Sequence, residues 1–300
     1  MTSATNSVST KRKPCVAAAF SLALAGLGHI YCGKLAKGLL LAVLSGVFIP
    51  TILITLAYSS PINTVWLLVA AAPFLILNLY AIIDSYLLAH RTQADYMLRE
   101  YNRGFVYLLL VVMGTGGCVT MSLYVRDRFL QAFIVPSPSM APTIIHGDRL
   151  LANKIAYAQA DPQRGDIIVF PNPDNRRQMF IKRVVALPGD TVEVRDSRLL
   201  INGKELPLRA IPRVVGAAGE SFVETNGSAN YRIMITPSQT VTADMPATVI
   251  PKNTCFVLGD NRNNSLDSRH FGPVPLACVR GRFDYLYWPA ANWSRFGTIK

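Results

Sequence analysis

The chain has 300 residues, of which 51% are hydrophobic and only 16% charged, with 30 Lys and Arg against 18 Asp and Glu, a net charge of +12. That composition, with a mean hydropathy of +0.29, excludes disorder, a coiled coil and a collagen-like fibre, and counts against a wholly soluble enzyme. Five cysteines, no two of them at CxxC spacing, exclude a disulfide scaffold, a zinc ribbon and a thioredoxin-type site.

From Met1 to Ile83 there is no Asp or Glu, and the basic residues are Lys11, Arg12, Lys13, Lys34 and Lys37. Three uncharged stretches, Leu39 to Ser60, Ile62 to Ile83 and Gly104 to Val125, are each long enough to cross a hydrocarbon core of ~30 Å. Their Gly and Pro content suits bilayer helices better than soluble ones. The Ala- and Gly-rich stretch from Cys15 to Ile30 is short and stays open between a fourth span and a re-entrant or interfacial segment. Cleavage as a signal peptide is not expected, because more spans follow and no small-residue exit site precedes Lys34. Loop charges favour three crossings. They put Lys11 to Lys13, Lys34 and Lys37 on the cytoplasmic side with Arg91, Arg99 and Arg103, and everything after Val125 outside. Four crossings with an external N-terminus would also export the C-terminal part. The expected organisation is a basic cytoplasmic N-terminus (1–13), a membrane region (14–128) of three transmembrane helices with a fourth left open, and an extracytoplasmic β-rich domain (129–300).

After Arg126 short β-rich runs alternate with turns: Asp166 to Phe170, Phe180 to Val185, Thr191 to Val194, Leu199 to Ile201, Tyr231 to Ile235 and Cys255 to Leu258. The fold class expected is therefore a multi-span α-helical membrane region followed by a mostly antiparallel β domain, sandwich or barrel-like. Asn202-Gly203 between apolar runs is a type I′ hairpin candidate. Basic residues outnumber acids here by 22 to 15 but are scattered, with no Arg-rich helix and no aromatic RNA-binding strand. They read as a solvated surface, or as attraction to anionic lipid heads, and not as a nucleic-acid site. Cys255 and Cys278 are equally compatible with a disulfide and with two free thiols.

Three segments carry candidate chemistry. Ser137-Pro-Ser-Met-Ala-Pro-Thr143 is either a Ser/Pro linker or a rigid turn that presents a hydroxyl at a fixed angle. In Phe180-Ile-Lys-Arg-Val-Val-Ala-Leu-Pro-Gly-Asp190, strand alternation leaves open whether Lys182 or Arg183 faces inward. An inward Lys182 would lose part of its proton affinity to desolvation and become able to accept a proton. Gly259-Asp-Asn-Arg-Asn-Asn-Ser-Leu-Asp-Ser-Arg269 is a polar loop, a weak calcium-loop candidate lacking the terminal Glu, or a buttress for a site.

Together these segments resemble the signature boxes of type I signal peptidase, the bacterial leader peptidase with Ser-Lys chemistry. The matching stretches are Pro136 to Thr143, Gly147 to Lys154, Lys182 to Asp190 and Gly259 to Arg269, in that order after a membrane span. Asn263 departs from the pattern, standing where Asp is frequent. The resemblance implies a membrane-bound serine endopeptidase that removes signal peptides from secretory precursors, with Ser139 as nucleophile and Lys182 as general base. It implies the Ser137 hydroxyl and the Ser139 N–H as oxyanion donors and Ser265 as the group that orients the lysine. Arg183, Asp260, Asp267 and Arg269 match supporting groups, expected to form one ion-pair network. Phe133, Val135, Pro136, Phe180 and Ile181 would line shallow pockets for a small-residue cleavage site. No cofactor and no metal is expected; the partners are the precursors and the phospholipid membrane. The implied location is the bacterial inner (cytoplasmic) membrane, multi-pass, with the catalytic domain on the extracytoplasmic side. Weighed beside it are a specialised processing peptidase for conjugation or pilus-type precursors, a non-catalytic membrane-anchored peptide-binding scaffold, and a Ser-His-Asp triad recruiting His146 or His270 to Ser139.

Overall fold

A computed structural model describes residues 11–58, 64–92, 98–158, 160–195, 198–212, 219–236 and 244–299. It divides into two units, one made of 1–56 and 64–127, the other of 57–63 and 128–300.

The first unit is helical: α1 (Pro14–Ala23), α2 (Leu27–Tyr31), α3 (Leu35–Tyr58), α4 (Thr64–Arg91) and α5 (Gly104–Arg128). The stretch left open in the sequence is two pieces. α1 ends where Leu24 turns extended, and its 10 residues reach about 15 Å, half a bilayer core. α3 covers the first expected span and α5 the third. α4 runs past the expected end at Ile83 to Arg91, taking Asp84 and His90 into the helix. The reason is that a single carboxylate does not stop a helix, and the Asp84 charge is met by Lys37 at 2.8 Å. Among the described residues, two segments, Ala71–Arg91 and Gly104–Arg128, are long and apolar enough to cross a membrane. In α5, Phe105, Leu108, Val112, Met113, Val119 and Leu123 are all exposed. Leu24 packs at Gly114 and the Phe20 ring at Tyr107, but a helix with so much exposed apolar surface is suited to lipid and not to water. The expected turn Ser59 to Pro61 lies outside the described residues.

The second unit is antiparallel β-sheet. β1 (Leu130–Ile134), β2 (Arg149–Asn153), β3 (Ile167–Pro171), β4 (Met179–Ala186), β12 (Thr254–Leu258), β13 (Val274–Pro275), β14 (Gly281–Trp288) and β15 (Gly297–Thr298) form the large sheet. Its order is β1-β2-β14-β3-β4-β12-β13, with β15 on β14. β5 (Thr191–Arg195), β6 (Arg198–Ile201), β7 (Lys204–Glu205) and β11 (Met245–Val249) make a second sheet; β8 (Leu208–Ile211), β9 (Glu220–Asn226) and β10 (Ala229–Ile235) make a third. A short helix, α6 (Ser268–Phe271), follows β12.

The continuous apolar run of β3 is buried on both faces between β14 and β4, as an interior strand requires. Around it lie Val135, Met140, Ile144, Leu150 and Phe283 on one side and Phe170, Val184, Cys255 and Val257 on the other. All five cysteines are free thiols; Cys278 packs against the cluster that buries Cys255 without bonding to it. All six strand runs read from the sequence are present. β14 was not among them, although its Phe-Asp-Tyr-Leu-Tyr-Trp stretch is aromatic, because Arg282 and Asp284 break its apolar pattern. They face each other two residues apart, with Arg282 Nε donating to Asp284 at 2.6 Å.

Register pairs Ile201 with Lys204, leaving a two-residue turn in which Asn202 has φ 53° and Gly203 φ 73°, the type I′ geometry. Gly203→Ala is expected to lower stability by about 1–2 kcal/mol, read as a lower denaturant midpoint in detergent.

Candidate active site

Ser139 sits in a single 3-10 turn, Pro138–Met140. Pro138 at its first position supplies a fixed φ and has no N–H to leave unpaired. Ser137 caps the turn: its Oγ accepts the Ser139 N–H at 3.2 Å. The polar loop after β12 holds the turn from the other side. Asn261 N–H donates to the Ser139 carbonyl at 3.1 Å, and Asn261 Nδ2 donates to Pro138 O at 3.3 Å. Gly259 is needed for this approach, because a Cβ there would lie 2.5 Å from the Ser139 carbonyl oxygen and 2.2 Å from Ser265 Oγ.

Lys182 lies in β4, paired with Ile168 of β3. Its neighbour Arg183 pairs with Leu258 at the end of β12, so the polar loop leaves the sheet beside the lysine. Both residues left open by strand alternation are inward and buried. Lys182 Nζ donates to Ser139 Oγ at 2.8 Å. Lys182 is 4% exposed and Ser139 9%. Burial lowers the Lys182 pKa, the Asp267 and Asp260 carboxylates oppose the shift and Arg269 adds to it, and the net value is about 8. The Phe180 ring centroid is 5.3 Å from the amine.

Arg183 meets Asp260 in a two-pronged pair, Nε–Oδ1 2.8 Å and Nη2–Oδ2 2.6 Å. It also donates to the Gly165 carbonyl at 2.6 Å and stacks over Tyr231 at 4.5 Å. Asp267 accepts from Arg269 Nε and Nη2, both at 2.7 Å, and from the Gly259 N–H at 3.0 Å. Burial alone would raise the Asp267 pKa; Arg269 and the Gly259 amide overcome it, and the pKa is lowered. These are two separate ion pairs, where one network was expected, because each carboxylate already has its own guanidinium fork.

A third pair was not anticipated. Arg262 donates to both oxygens of Glu224, at 2.7 and 2.5 Å, and Tyr231 Oη donates to the same carboxylate at 2.8 Å. Arg269 Nη2 donates to the Arg262 carbonyl at 2.7 Å, so the second and third pairs meet through backbone. Arg262 was visible inside the polar loop, but nothing in the chain marks Glu224, 38 positions away, as its partner. In the Gly147 to Lys154 stretch, Asp148 accepts from Arg295 at 2.9 and 2.7 Å and from the Ala290 N–H at 2.9 Å. That fastens the C-terminal segment beside the Ser139 turn.

Of the other expected site residues, Ser265 Oγ is buried and makes no hydrogen bond to Lys182; its hydroxyl lies close to Asp267 and helps keep that carboxylate ionised. Phe133 and Ile181 are half-buried against the cluster that holds Val135, whereas Phe180 packs in the neighbouring cluster. Val135 lies in the core and Pro136 on the surface. His146 and His270 are exposed, and neither takes part in the Ser139 contacts. Among the described residues no group of three or more His, Cys, Asp or Glu is arranged to hold a metal ion.

The family described as "Signal peptidase, peptidase S26" matches residues 105–288. The signal peptidase I of Pseudomonas fluorescens is 33% identical over 238 residues, 68% of this chain and 80% of that protein. Thylakoidal processing peptidase 1 of Arabidopsis thaliana is 33% identical over 186 residues, 59% of this chain; the chain spans about half, 47%, of that relative's length. A crystal structure of a signal peptidase I from Enterococcus faecalis is 36% identical, covering 40% of this chain and 95% of that one, with a TM-score of 0.26.

Glu224→Gln would leave the Arg262 charge buried without a counter-ion and is expected to cost about 3–5 kcal/mol. The measurement is the unfolding midpoint in detergent, and adding Arg262→Met should recover most of the loss.

Proposed function

The chain belongs to the signal peptidase family, peptidase S26, and from that premise we propose that it is a membrane-bound serine endopeptidase that removes signal peptides from exported precursors with a Ser139–Lys182 dyad. The observation that carries the reading is the 2.8 Å contact between Lys182 Nζ and Ser139 Oγ in a site where the amine is largely shielded from water. A serine hydroxyl needs a base to become a nucleophile, and a desolvated lysine serves where no histidine is present.

The neutral amine takes the Ser139 proton as Oγ attacks the scissile carbonyl carbon. The charge that develops on the carbonyl oxygen is met by the Ser139 N–H and the Ser137 hydroxyl. Collapse breaks the C–N bond, the leaving amine takes the proton from Lys182, and an acyl-enzyme remains. Lys182 then takes a proton from water as the water oxygen attacks the ester carbonyl; collapse breaks the C–Oγ bond, Oγ takes that proton back from Lys182, and the new carboxyl product leaves. In the resting site the Ser139 N–H donates to Ser137 Oγ at 3.2 Å, so the amide must turn to the substrate when it arrives, while the Ser137 O–H is not spent in that bond.

The substrate is an extended small-residue segment pairing with β1, the edge of the large sheet, an arrangement that gives main-chain affinity and side-chain selection together. Phe133, Pro136, Phe180 and Ile181 border it, and Val135 supports it from the core. Helices α3, α4 and α5 cross the cytoplasmic membrane of a bacterium, residues 14–128 form the membrane region, and 129–300 lie outside, where a precursor's cleavage site emerges. α1 and α2 stay at the cytoplasmic face, an assignment that keeps Lys34, Lys37, Arg91, Arg99 and Arg103 together on the inside.

Activity should follow the neutral amine. With a Lys182 pKa of about 8, roughly one molecule in ten carries it at pH 7. kcat/KM for precursor cleavage should rise close to tenfold per unit below pH 8 and level off above; a flat profile from about pH 6 to 9 would sink the assignment. Ser139→Ala and Lys182→Ala should each cost at least ~10³-fold in kcat, and Ser137→Ala ~10²–10³-fold. A double replacement of His146 and His270 by Ala should retain cleavage, and its loss would restore the histidine triad.

A further inference from the structure

The start of α3 and the end of α4 enclose a pocket of about 310 Å³ lined by Lys34, Lys37, Asp84, Leu87, Leu88 and Arg91. Three cations against one carboxylate leave it at 3 − 1 = +2. Lys37 is committed: its Nζ donates to Asp84 at 2.8 Å and sits 5.3 Å from the Tyr80 ring centroid. Asp84 is further held by His29 Nε2 at 2.7 Å, and His29 is fully buried. The Asp84 side of the pocket is therefore built and fixed. Lys34 and Arg91 are exposed and form no ion pair with any described residue, yet they converge on the concavity instead of spreading over the surface. Two cations with no ion-pair partner among the described residues, beside an immobilised pair, are arranged to receive an anion.

Two rows of apolar side chains begin at this pocket. On α3 the row from Lys37 continues through Leu40, Leu44 and Val47; on α4 the row from Arg91 continues through Leu87, Ile83, Tyr80 and Ile76. Each step is three or four residues, so each row follows one helix face, and the apolar members are all exposed. A free phosphate has no use for such rows, whereas an acyl chain does.

We propose that this pocket binds the phosphodiester of an anionic phospholipid, with Lys34 and Arg91 on the phosphate and an acyl chain along the α3 and α4 rows. The Arg91 fork can give two parallel N–H bonds to phosphate oxygens, and Lys34 adds a point charge. The inference rests on the membrane placement above, which puts this end of the helices at the cytoplasmic leaflet, where anionic lipids attract basic residues.

The test uses the full chain purified in neutral detergent and titrated with phosphatidylglycerol or phosphatidylcholine, bound lipid being counted by native mass spectrometry. Phosphatidylglycerol should be retained several-fold better, and Lys34→Gln and Arg91→Gln should each weaken it about fivefold with no effect on phosphatidylcholine. Unchanged thermal midpoints are expected for both variants because their side chains are exposed. Equal retention of the two lipids, indifference to the variants, or displacement by millimolar inorganic phosphate, the mark of a soluble-phosphate site, would each overturn the proposal. A carbonate wash of membranes carrying the chain separates the two readings. Release into the supernatant defeats the membrane placement and the lipid site with it. A chain that stays in the pellet without preferring phosphatidylglycerol defeats the lipid site alone.

Discussion

The amine of Lys182 is held out of water and against a hydroxyl, and the rest of the second unit is organised around keeping it so. Full desolvation can move a lysine by ~3–5 units. Here two carboxylates, Asp267 and Asp260, oppose the shift, and the amine comes to rest at about 8. Both acids would pull harder if they were unpaired. Each is instead occupied by its own guanidinium, Asp260 by Arg183 and Asp267 by Arg269. Arg269 thus does more than hold a loop in place: its charge lowers the Lys182 pKa against the pull of the two carboxylates.

Placement of the hydroxyl depends on a different set of forces. Pro136 and Pro138 restrict the backbone on either side of Ser137, and the turn that follows is too short to be stable by itself. It is clamped through its carbonyls by Asn261, at a closeness that Gly259 permits. The β4–β12 register brings that loop next to Lys182. Amine, hydroxyl and clamp, separated by 43 residues and more in the chain, are therefore neighbours through strand order and not through any local motif.

How far the sequence anticipates this follows from the range of the interactions. Local rules succeed where the determinants are local: the Asn202-Gly203 turn, the strand runs, and the change from helices to β-strands after Arg128. Strand alternation cannot tell whether Lys182 or Arg183 points inward, because β4 is covered on both faces at that point and both do. The Glu224–Arg262 pair has no signature, since an acid on a β-strand looks the same whether it meets solvent or a buried arginine. β14 escapes notice because a neighbouring Arg–Asp pair satisfies charges that, read alone, argue for a loop. The Cys15 to Ile30 stretch is ambiguous in composition, and its break into two helices comes at the extended residue Leu24, which no composition rule marks.

The three buried ion pairs also bear on why this domain tolerates so much charge in its interior. A buried pair gains little over a well-packed apolar replacement, since desolvation of both ions offsets most of their attraction. Stability is thus a poor reason for keeping Arg183–Asp260, Asp267–Arg269 and Arg262–Glu224. Direction is a better one. An apolar substitute could fill the same volume while letting the 259–269 loop slide by an ångström, and a slide of that size would carry Asn261 and with it the Ser139 carbonyl. Forked guanidinium–carboxylate geometry resists sliding because both bonds fail together. Arg269 bonded to the Arg262 carbonyl transmits that stiffness from one pair to the next, so the loop that abuts the Ser139 turn is fixed at both ends. The cost in stability is met by the apolar clusters on either face of β3, and what it secures is the 2.8 Å separation between the Lys182 amine and the Ser139 hydroxyl.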